Sequence, residues 1–190
     1  MKPKISIGVI FFISCFFSFS FHAKERWVLD KELSTINFEL PIFLMKNVQG
    51  EFKQIEGLVE IDIDNKENNK AIFSVVINSI EMNYKNYKNL LLSNIFFNSN
   101  KFPIALIDTK KFTYIDENEL EIIVILSIKG VTKEIPLKIE IIHLAKNLIQ
   151  IKSKLKFSRT EFQIGKGKWA SKAILKDNIL IQTNLFLFKE

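Results

Sequence analysis

Apolar and polar residues alternate along most of the chain, which is typical of β-strands with one buried face. The clearest example is residues 151–157, where lysines at every second position separate residues that are apolar or small. Further stripes of the same kind lie at residues 36–40, 59–63, 73–77, 120–128 and 179–188. The pattern therefore predicts an all-β chain.

Turn residues separate these stripes and limit the helix content. The glycines at positions 57, 130, 165 and 167 fall between predicted strands, whereas Gly50 lies inside one and predicts a bend or bulge. Helical spacing of apolar residues occurs near residues 84–97 only, and we expect one short helix there. About eight short antiparallel strands in one domain favour a closed barrel, because closure removes exposed sheet edges.

Two kinds of barrel fit this alternation. In an outer-membrane barrel the apolar face meets lipid and the polar face lines the lumen. Lys152, Lys154 and Lys156 would then crowd a narrow lumen, or would face lipid at about 2–4 kcal/mol each near the midplane. The negatively charged side chains of Glu60 and Asp62 would face the same cost in an outer-membrane barrel. We therefore favour a barrel whose apolar side chains point inward and whose charged side chains face water.

The N-terminal residues differ from the rest of the chain. Lys2 and Lys4 precede an uncharged apolar run at residues 5–21, which is somewhat shorter than the about 20 residues of a membrane span. A positive start, an apolar run and a small residue at its end are typical of a secretory signal peptide. We expect residues 1–23 to be such a peptide and residues 24–190 to form the mature domain, in the periplasm or outside the cell.

The processing of this segment has alternatives. Cleavage after Ala23 is preferred, but cleavage after Ser20 also fits, and an uncleaved anchor is the rival interpretation. Cys15 lies in a sequence that loosely resembles a lipoprotein box, although Phe12 is unsuitable for its first position. We interpret Cys15 as a residue of the discarded segment.

Composition and charge exclude several classes of protein. A hydrophobic content of 47% excludes a disordered chain, and a single Cys with two His excludes a zinc or disulfide scaffold. The net charge is +6, without a dense basic stripe interleaved with aromatic residues, so nucleic acid is not an expected partner. His143 is the one histidine of the mature domain, and its apolar neighbours indicate a surface or packing role. We expect no enzyme, no catalytic residue, no cofactor and no metal.

The inward stripe supplies the candidate ligand-binding residues. An eight-stranded barrel has an interior just wide enough for packed side chains or for one small ligand, so a filled core is an equally good interpretation. Trp27 and Trp169 are expected to close the barrel ends or to line the mouth. Arg159 is expected to connect strands, and contact with a polar head group is the less favoured alternative. The candidate lining residues are Ile36, Phe38, Val48, Phe52, Val59, Phe73, Val75, Ile107, Leu126, Ile128, Phe157, Phe162 and Trp169.

Five segments in order along the mature chain resemble those of the YceI-like family. The segment LSIKGVTK is the most specific match. The five are WVLD at 27–30 with INF at 36–38, VQGEF at 48–52, FF at 96–97 with FP at 102–103, LSIKGVTK at 126–133, and FSRTEFQIG at 157–165. Tyr87, Lys88 and Leu90 stand where many members carry Arg-Asp and His, and Gln163 replaces a usual Gly.

This resemblance implies a fold and a function. It implies an all-β, antiparallel, eight-stranded lipocalin-like β-barrel with one short helix, which binds an isoprenoid or another long-chain amphiphilic lipid. Burying about 15 methylene groups at ~0.8 kcal/mol each, less association costs of at least ~4 kcal/mol, allows roughly micromolar affinity. Transient membrane contact and a homodimer are compatible with such a carrier. The alternatives are a filled structural or partner-binding barrel, and an isomerase or hydrolase that uses the barrel as a chamber.

Overall fold

The structure is a computed structural model that describes residues 24–42, 48–62, 65, 67–109, 112 and 118–190. The predicted signal peptide and Cys15 lie outside the described residues. Within those ranges the structure contains eleven strand segments, one α-helix and three short 3-10 helices. The strands are β1 (Glu25–Leu29), β2 (Thr35–Leu40), β3 (Val48–Phe52), β4 (Ile55–Ile61), β5 (Lys70–Val76), β6 (Ile80–Met82), β7 (Ile104–Asp108), β8 (Glu119–Ile128), β9 (Val131–Ala145), β10 (Leu148–Ser158) and β11 (Asn178–Lys189). The helix is α1 (Lys85–Leu92).

The strand segments form one closed antiparallel barrel of eight strands. Three of the eight are interrupted, because β1 and β2, β3 and β4, and β5 and β6 each follow one course around the barrel. The last strand closes the ring by pairing with both halves of the first, β11 with β1 and β11 with β2. The predicted eight-stranded lipocalin-like barrel with one short helix is confirmed.

Side chains explain where the strands are interrupted. Between β1 and β2 the Asp30 carboxylate accepts hydrogen bonds from the backbone N–H groups of Glu32 and Leu33, both at 2.9 Å, which forms a turn. Between β3 and β4 the backbone N–H groups of Lys53 and Gln54 donate to the Ser79 hydroxyl at 3.2 and 3.0 Å. These bonds keep the backbone groups paired while the strands bend.

The apolar stripes point into the barrel, as the alternation predicts. In β10 the side chains of Ile151, Leu155 and Phe157 are buried, whereas the intervening lysines are exposed. In β8 Val124 is fully buried while its outward neighbour Ile123 is 54% exposed. The barrel therefore has an apolar interior and a mostly polar surface.

The structure corrects the predicted roles of two glycines. Gly50 pairs in regular register with Phe38 on one side and Met82 on the other, so the predicted bulge is wrong. A Cβ at Gly50 would lie 2.3 Å from the Phe38 ring. Gly57 lies inside β4 rather than between strands, and a Cβ there would lie 2.2 Å from the Phe73 ring. Each glycine makes room for an aromatic ring on the neighbouring strand.

Helix α1 lies across one end of the barrel, which we call the lower end. It is shorter than predicted, because Ser93 leaves the helical conformation with a ψ of 169° and its hydroxyl donates to the Leu90 carbonyl. Leu91 is buried on the face of the helix that meets the barrel. None of the helices in the described ranges is long and apolar enough to span a membrane.

Strands β9 and β10 separate toward the lower end. Their register runs from the Ala145–Leu148 pair to the Ile139–Ser153 pair and stops there. The residues of β9 from Val131 to Lys138 pair with β8 alone. Pro136 lies in this part of β9, where proline is tolerated because it has no N–H to leave unpaired on an open side.

Candidate functional site

Two apolar chambers lie one above the other inside the barrel. The lower chamber, next to α1, has a volume of about 100 Å³, and the upper chamber has a volume of about 150 Å³. Five residues border both chambers and form what we call the waist. The waist residues are Ile36, Ile107, Leu137, Ser153 and Thr183. Side chains therefore leave apolar space at two levels of the barrel interior.

Aromatic rings form much of the lower chamber wall. The Phe38 and Phe52 rings lie 5.4 Å apart between centroids, and Phe52 meets Phe97 edge-on at 6.5 Å. Phe157 packs edge-on against Phe162 at 5.3 Å. Such tilted and edge-to-face packing holds these rings in defined positions, so this side of the chamber wall has a fixed shape.

Most of the candidate residues border a chamber. Ile36, Phe38, Phe52, Val75, Ile107, Leu126, Ile128 and Phe157 line the lower chamber, and Val59 and Phe73 line the upper one with Ile36 and Ile107. Val48 and Phe162 are fully buried but lie outside both walls. Trp169 also lies outside, packed edge-on against Phe96 at 5.7 Å. A role in ligand binding stays a prediction for all of the candidate residues, whether or not they border a chamber.

Sequence reasoning missed two groups of lining residues. Leu91, Phe96 and Leu175 reach the lower chamber from α1 and from loops, where strand periodicity gives no signal. Leu137 and Ile141 line the chambers from β9. The alternation of residues 135–141 carries the same signal as the other stripes and could have identified them.

A buried guanidinium closes the lower end. Arg159 is fully buried at the end of β10, and none of the described carboxylates forms an ion pair with it. It donates to the backbone carbonyls of Ile164 at 2.8 Å, Leu175 at 2.7 Å, Lys176 at 3.1 Å and Ser171 at 3.5 Å. We call the segment 159–177, which these bonds fold over the barrel end, the lower cap. The predicted strand-connecting role of Arg159 is thus a loop-closing role.

Asp177 completes the lower cap. Partial burial opposes its ionisation, but hydrogen bonds from Lys172 Nζ, Thr160 Oγ1, Ser158 Oγ and the Thr160 N–H hold the pKa of Asp177 well below its ordinary value. Burial lowers the pKa of Arg159, and the charge of Asp177 opposes that shift. The carboxylate is therefore ionised at neutral pH and pins both ends of the cap.

A second cation connects the lower cap to the segment that follows α1. Lys129, in the turn between β8 and β9, donates from Nζ to the Asn94 carbonyl at 3.2 Å and to the Gln163 carbonyl at 2.8 Å. Burial, and then the charge of Lys166, lowers the pKa of Lys129. Three loops are thus joined at the lower end.

The described residues at the upper end meet through partly exposed groups. Trp27 is buried and lines the upper chamber, and Lys189 Nζ lies 5.9 Å above its ring while donating to the Glu25 carboxylate. His143 lines the same chamber but is exposed, which agrees with its predicted place at the surface. Within the described ranges, no three His, Cys, Asp or Glu side chains are grouped to hold a metal ion.

A closed eight-stranded barrel with an apolar interior and one helix across its lower end defines the chain as a lipocalin-like β-barrel. A family model described as the YceI-like domain matches residues 27–187. The chain belongs to the YceI-like family.

Curated relatives resemble this chain in sequence, and solved structures resemble it in fold. A UPF0312 protein of Staphylococcus aureus strain N315 is 28% identical over 122 residues, which cover 64% of this chain and 68% of that protein. The crystal structure of BcnA from Burkholderia cenocepacia has a TM-score of 0.76 at 18% identity, covering 83% of this chain and 98% of that chain. The crystal structure of the Campylobacter jejuni YCEI protein has a TM-score of 0.68 at 26% identity, covering 78% and 88%. A domain from Saccharophagus degradans, described as polyisoprenoid binding, has a TM-score of 0.70 at 13% identity, covering 86% and 98%.

Proposed function

We propose that the protein binds the hydrocarbon part of a polyisoprenoid or a similar amphiphilic lipid inside the barrel. The observation that carries this proposal is the pair of apolar chambers, whose walls consist almost entirely of aliphatic and aromatic side chains. An apolar cavity of this kind stays dry and gains free energy from apolar guests. The fold shared with a polyisoprenoid binding domain from Saccharophagus degradans supports the same ligand class.

The size of the chambers constrains how a long chain would fit. At about 100 and 150 Å³ each chamber is smaller than the 300–1,000 Å³ usual for ligand pockets. An engineered cavity of 150 Å³ in another protein holds one benzene molecule. A longer tail therefore needs the side chains of Ile36, Ile107 and Leu137 to change rotamer, so that the chambers join at the waist.

The contacts at the two ends of the barrel support entry of the lipid tail from the upper end. The lower cap is held by buried hydrogen bonds, so the tail enters from the upper end and its polar head stays at the rim near Glu25, His143 and Lys189. These groups have no arrangement that activates a nucleophile, and the function we propose is carriage without chemistry. The signal-like pattern of residues 1–23 supports action in the periplasm or outside the cell.

Matched alanine substitutions test the proposal. Ala105 lines the lower chamber and Ala71 lines the upper one, so Ala105→Leu and Ala71→Leu each fill one chamber. The probe is geranylgeraniol, titrated by isothermal calorimetry. We expect roughly micromolar binding by the wild type and at least about tenfold weaker binding by each variant, because the tail loses the space it occupied.

An exposed alanine away from the upper end provides the control. Ala173 is exposed in the lower cap and borders neither chamber, and Ala173→Leu should leave affinity within about twofold. Failure of the wild type to take up geranylgeraniol contradicts the proposal. Equal affinity of the wild type and both chamber variants also contradicts it, because the tail would then lie outside the chambers.

A further inference from the structure

Two hydroxyl groups interrupt the apolar interior at one level. Ser153 in β10 and Thr183 in β11 are direct cross-strand partners, and their hydroxyl oxygens lie 2.7 Å apart. Both belong to the waist and border both chambers. The inward residues two positions away on β10 are Ile151 and Leu155, so the hydroxyl pair stands inside an aliphatic stripe.

The two hydroxyl groups carry two O–H donors but form only one hydrogen bond with each other. Each hydroxyl carries one O–H donor, and one of the two donates to the other oxygen. Ser153 and Thr183 make no other side-chain hydrogen bond within the described part of the chain, so the second O–H has no acceptor there. Both residues are half-buried and border both chambers, so the second O–H is available to an acceptor inside the barrel.

A second pair of the same residue types shows the difference that position makes. Ser127 and Thr132 lie on the outer face of β8 and β9, with their hydroxyl oxygens 2.9 Å apart. Solvent can accept the spare hydrogen of that exposed pair. The waist pair instead occupies inward positions of β10 and β11, has aliphatic neighbours along β10 and borders both chambers.

We infer that the Ser153–Thr183 pair donates a hydrogen bond to a neutral oxygen acceptor of the bound lipid, such as an ester, amide or ketone carbonyl held at the waist. This inference rests on the proposed function. A neutral group is required because the waist residues carry no charge that could balance a buried carboxylate or phosphate. Apolar segments on both sides of the carbonyl would then occupy the two chambers.

Two probes of equal length test the inference. Pentadecane and 8-pentadecanone differ by one carbonyl at the middle carbon, and each is titrated into the full-length protein by isothermal calorimetry. We expect the wild type to bind the ketone about three- to tenfold more tightly, which is the gain from one hydrogen bond. Without a donor at the waist the ketone would bind more weakly, because its carbonyl loses its bond to water.

Paired variants locate the donor. Ser153→Ala with Thr183→Val should abolish or reverse the ketone preference, measured as the ratio of the two affinities in the same protein. Ser127→Ala with Thr132→Val is the matched control, removes an identical pair from the outer face, and should keep the preference. Circular dichroism checks that both double variants are folded.

The outcomes separate the two claims. Equal wild-type affinity for both probes, or a preference that survives Ser153→Ala with Thr183→Val, overturns the inference and leaves the apolar chambers as the binding site. Binding of neither probe overturns the inference together with the proposed function.

Discussion

The two ends of the barrel are closed by different kinds of interaction. At the lower end the Arg159 guanidinium is fully buried and donates to carbonyls of the lower cap. At the upper end the Lys189 and Glu25 side chains form an ion pair while they are 34% and 25% exposed. Buried hydrogen bonds to a charged group are expensive to break, whereas a solvated ion pair contributes little. Among the described residues, the contacts at the lower end should therefore contribute more to the stability of the fold than the ion pair at the upper end, where we propose that the ligand enters.

The largest expected effect comes from removing the guanidinium. Arg159→Met should lower the free energy of unfolding by about 3–5 kcal/mol, because the carbonyls it satisfies lose their donors inside the protein. Urea denaturation measures the loss. Arg26, the other arginine of the chain, is 55% exposed, and Arg26→Met should cost less than about 0.5 kcal/mol. Equal losses of unfolding free energy in the two variants would contradict the difference between the two ends.

Glycines in the two halves should give intermediate effects. Gly50→Ala places a Cβ against the Phe38 ring and 2.8 Å from the Glu81 carbonyl oxygen, which cannot rotate away. Gly57→Ala meets the Phe73 ring, which can turn toward the upper chamber. We expect losses of about 2–3 kcal/mol for Gly50→Ala and about 1–2 kcal/mol for Gly57→Ala. Thermal unfolding of both variants compares the two losses of stability. A larger loss for Gly57→Ala would mean that the packing around Gly50 adjusts to a Cβ more readily than the packing around Gly57.

The smallest expected effect concerns Asp177. Asp177→Asn should lower the free energy of unfolding by about 1–2 kcal/mol at neutral pH, because the lower cap loses its anionic acceptor. The pKa of Asp177 is lowered in the folded state, so its stabilisation is complete above its unfolded pKa of about 3.9. That stabilisation is lost as the pH falls from there toward the folded pKa.

The pH dependence supplies the check on this variant. Stability measured by urea between pH 7 and pH 2 should fall less steeply at the acid end for Asp177→Asn than for the wild type. Glu25→Gln, at the upper end, is the control and should cost less than about 1 kcal/mol. Identical acid limbs in the wild type and Asp177→Asn would show that the carboxylate does not hold the cap.

Much of the barrel could be predicted because its signal is local. Alternation at positions such as 151–157 and 120–128 identifies both the strand and its inward face, and the structure places those faces inward. The predicted helix near residues 84–97 is correct in position but longer than α1, because the end of α1 depends on the backbone conformation of Ser93. The chambers themselves depend on which side chains fail to meet across the barrel, and periodicity contains no information about distances between opposite walls.

The lower cap shows the same limit in another form. Arg159 could be singled out as one of two arginines, but its partners are backbone carbonyls of Ile164, Leu175 and Lys176. Carbonyl groups are present at every residue and therefore give no sequence signal. Gly50 and Gly57 were misread for a related reason, since the rings that cover them belong to neighbouring strands.

Below Ile139 and Ser153, strands β9 and β10 are not joined by ladder hydrogen bonds, so the barrel wall is discontinuous there. Widening a continuous sheet would require ladder hydrogen bonds to break, but the wall between Lys138 and Lys154 has none to lose. We therefore expect β9 and β10 to be the part of the lower chamber wall that moves most easily, while the wall formed by the Phe38 and Phe52 rings and the remaining ladders keep their positions.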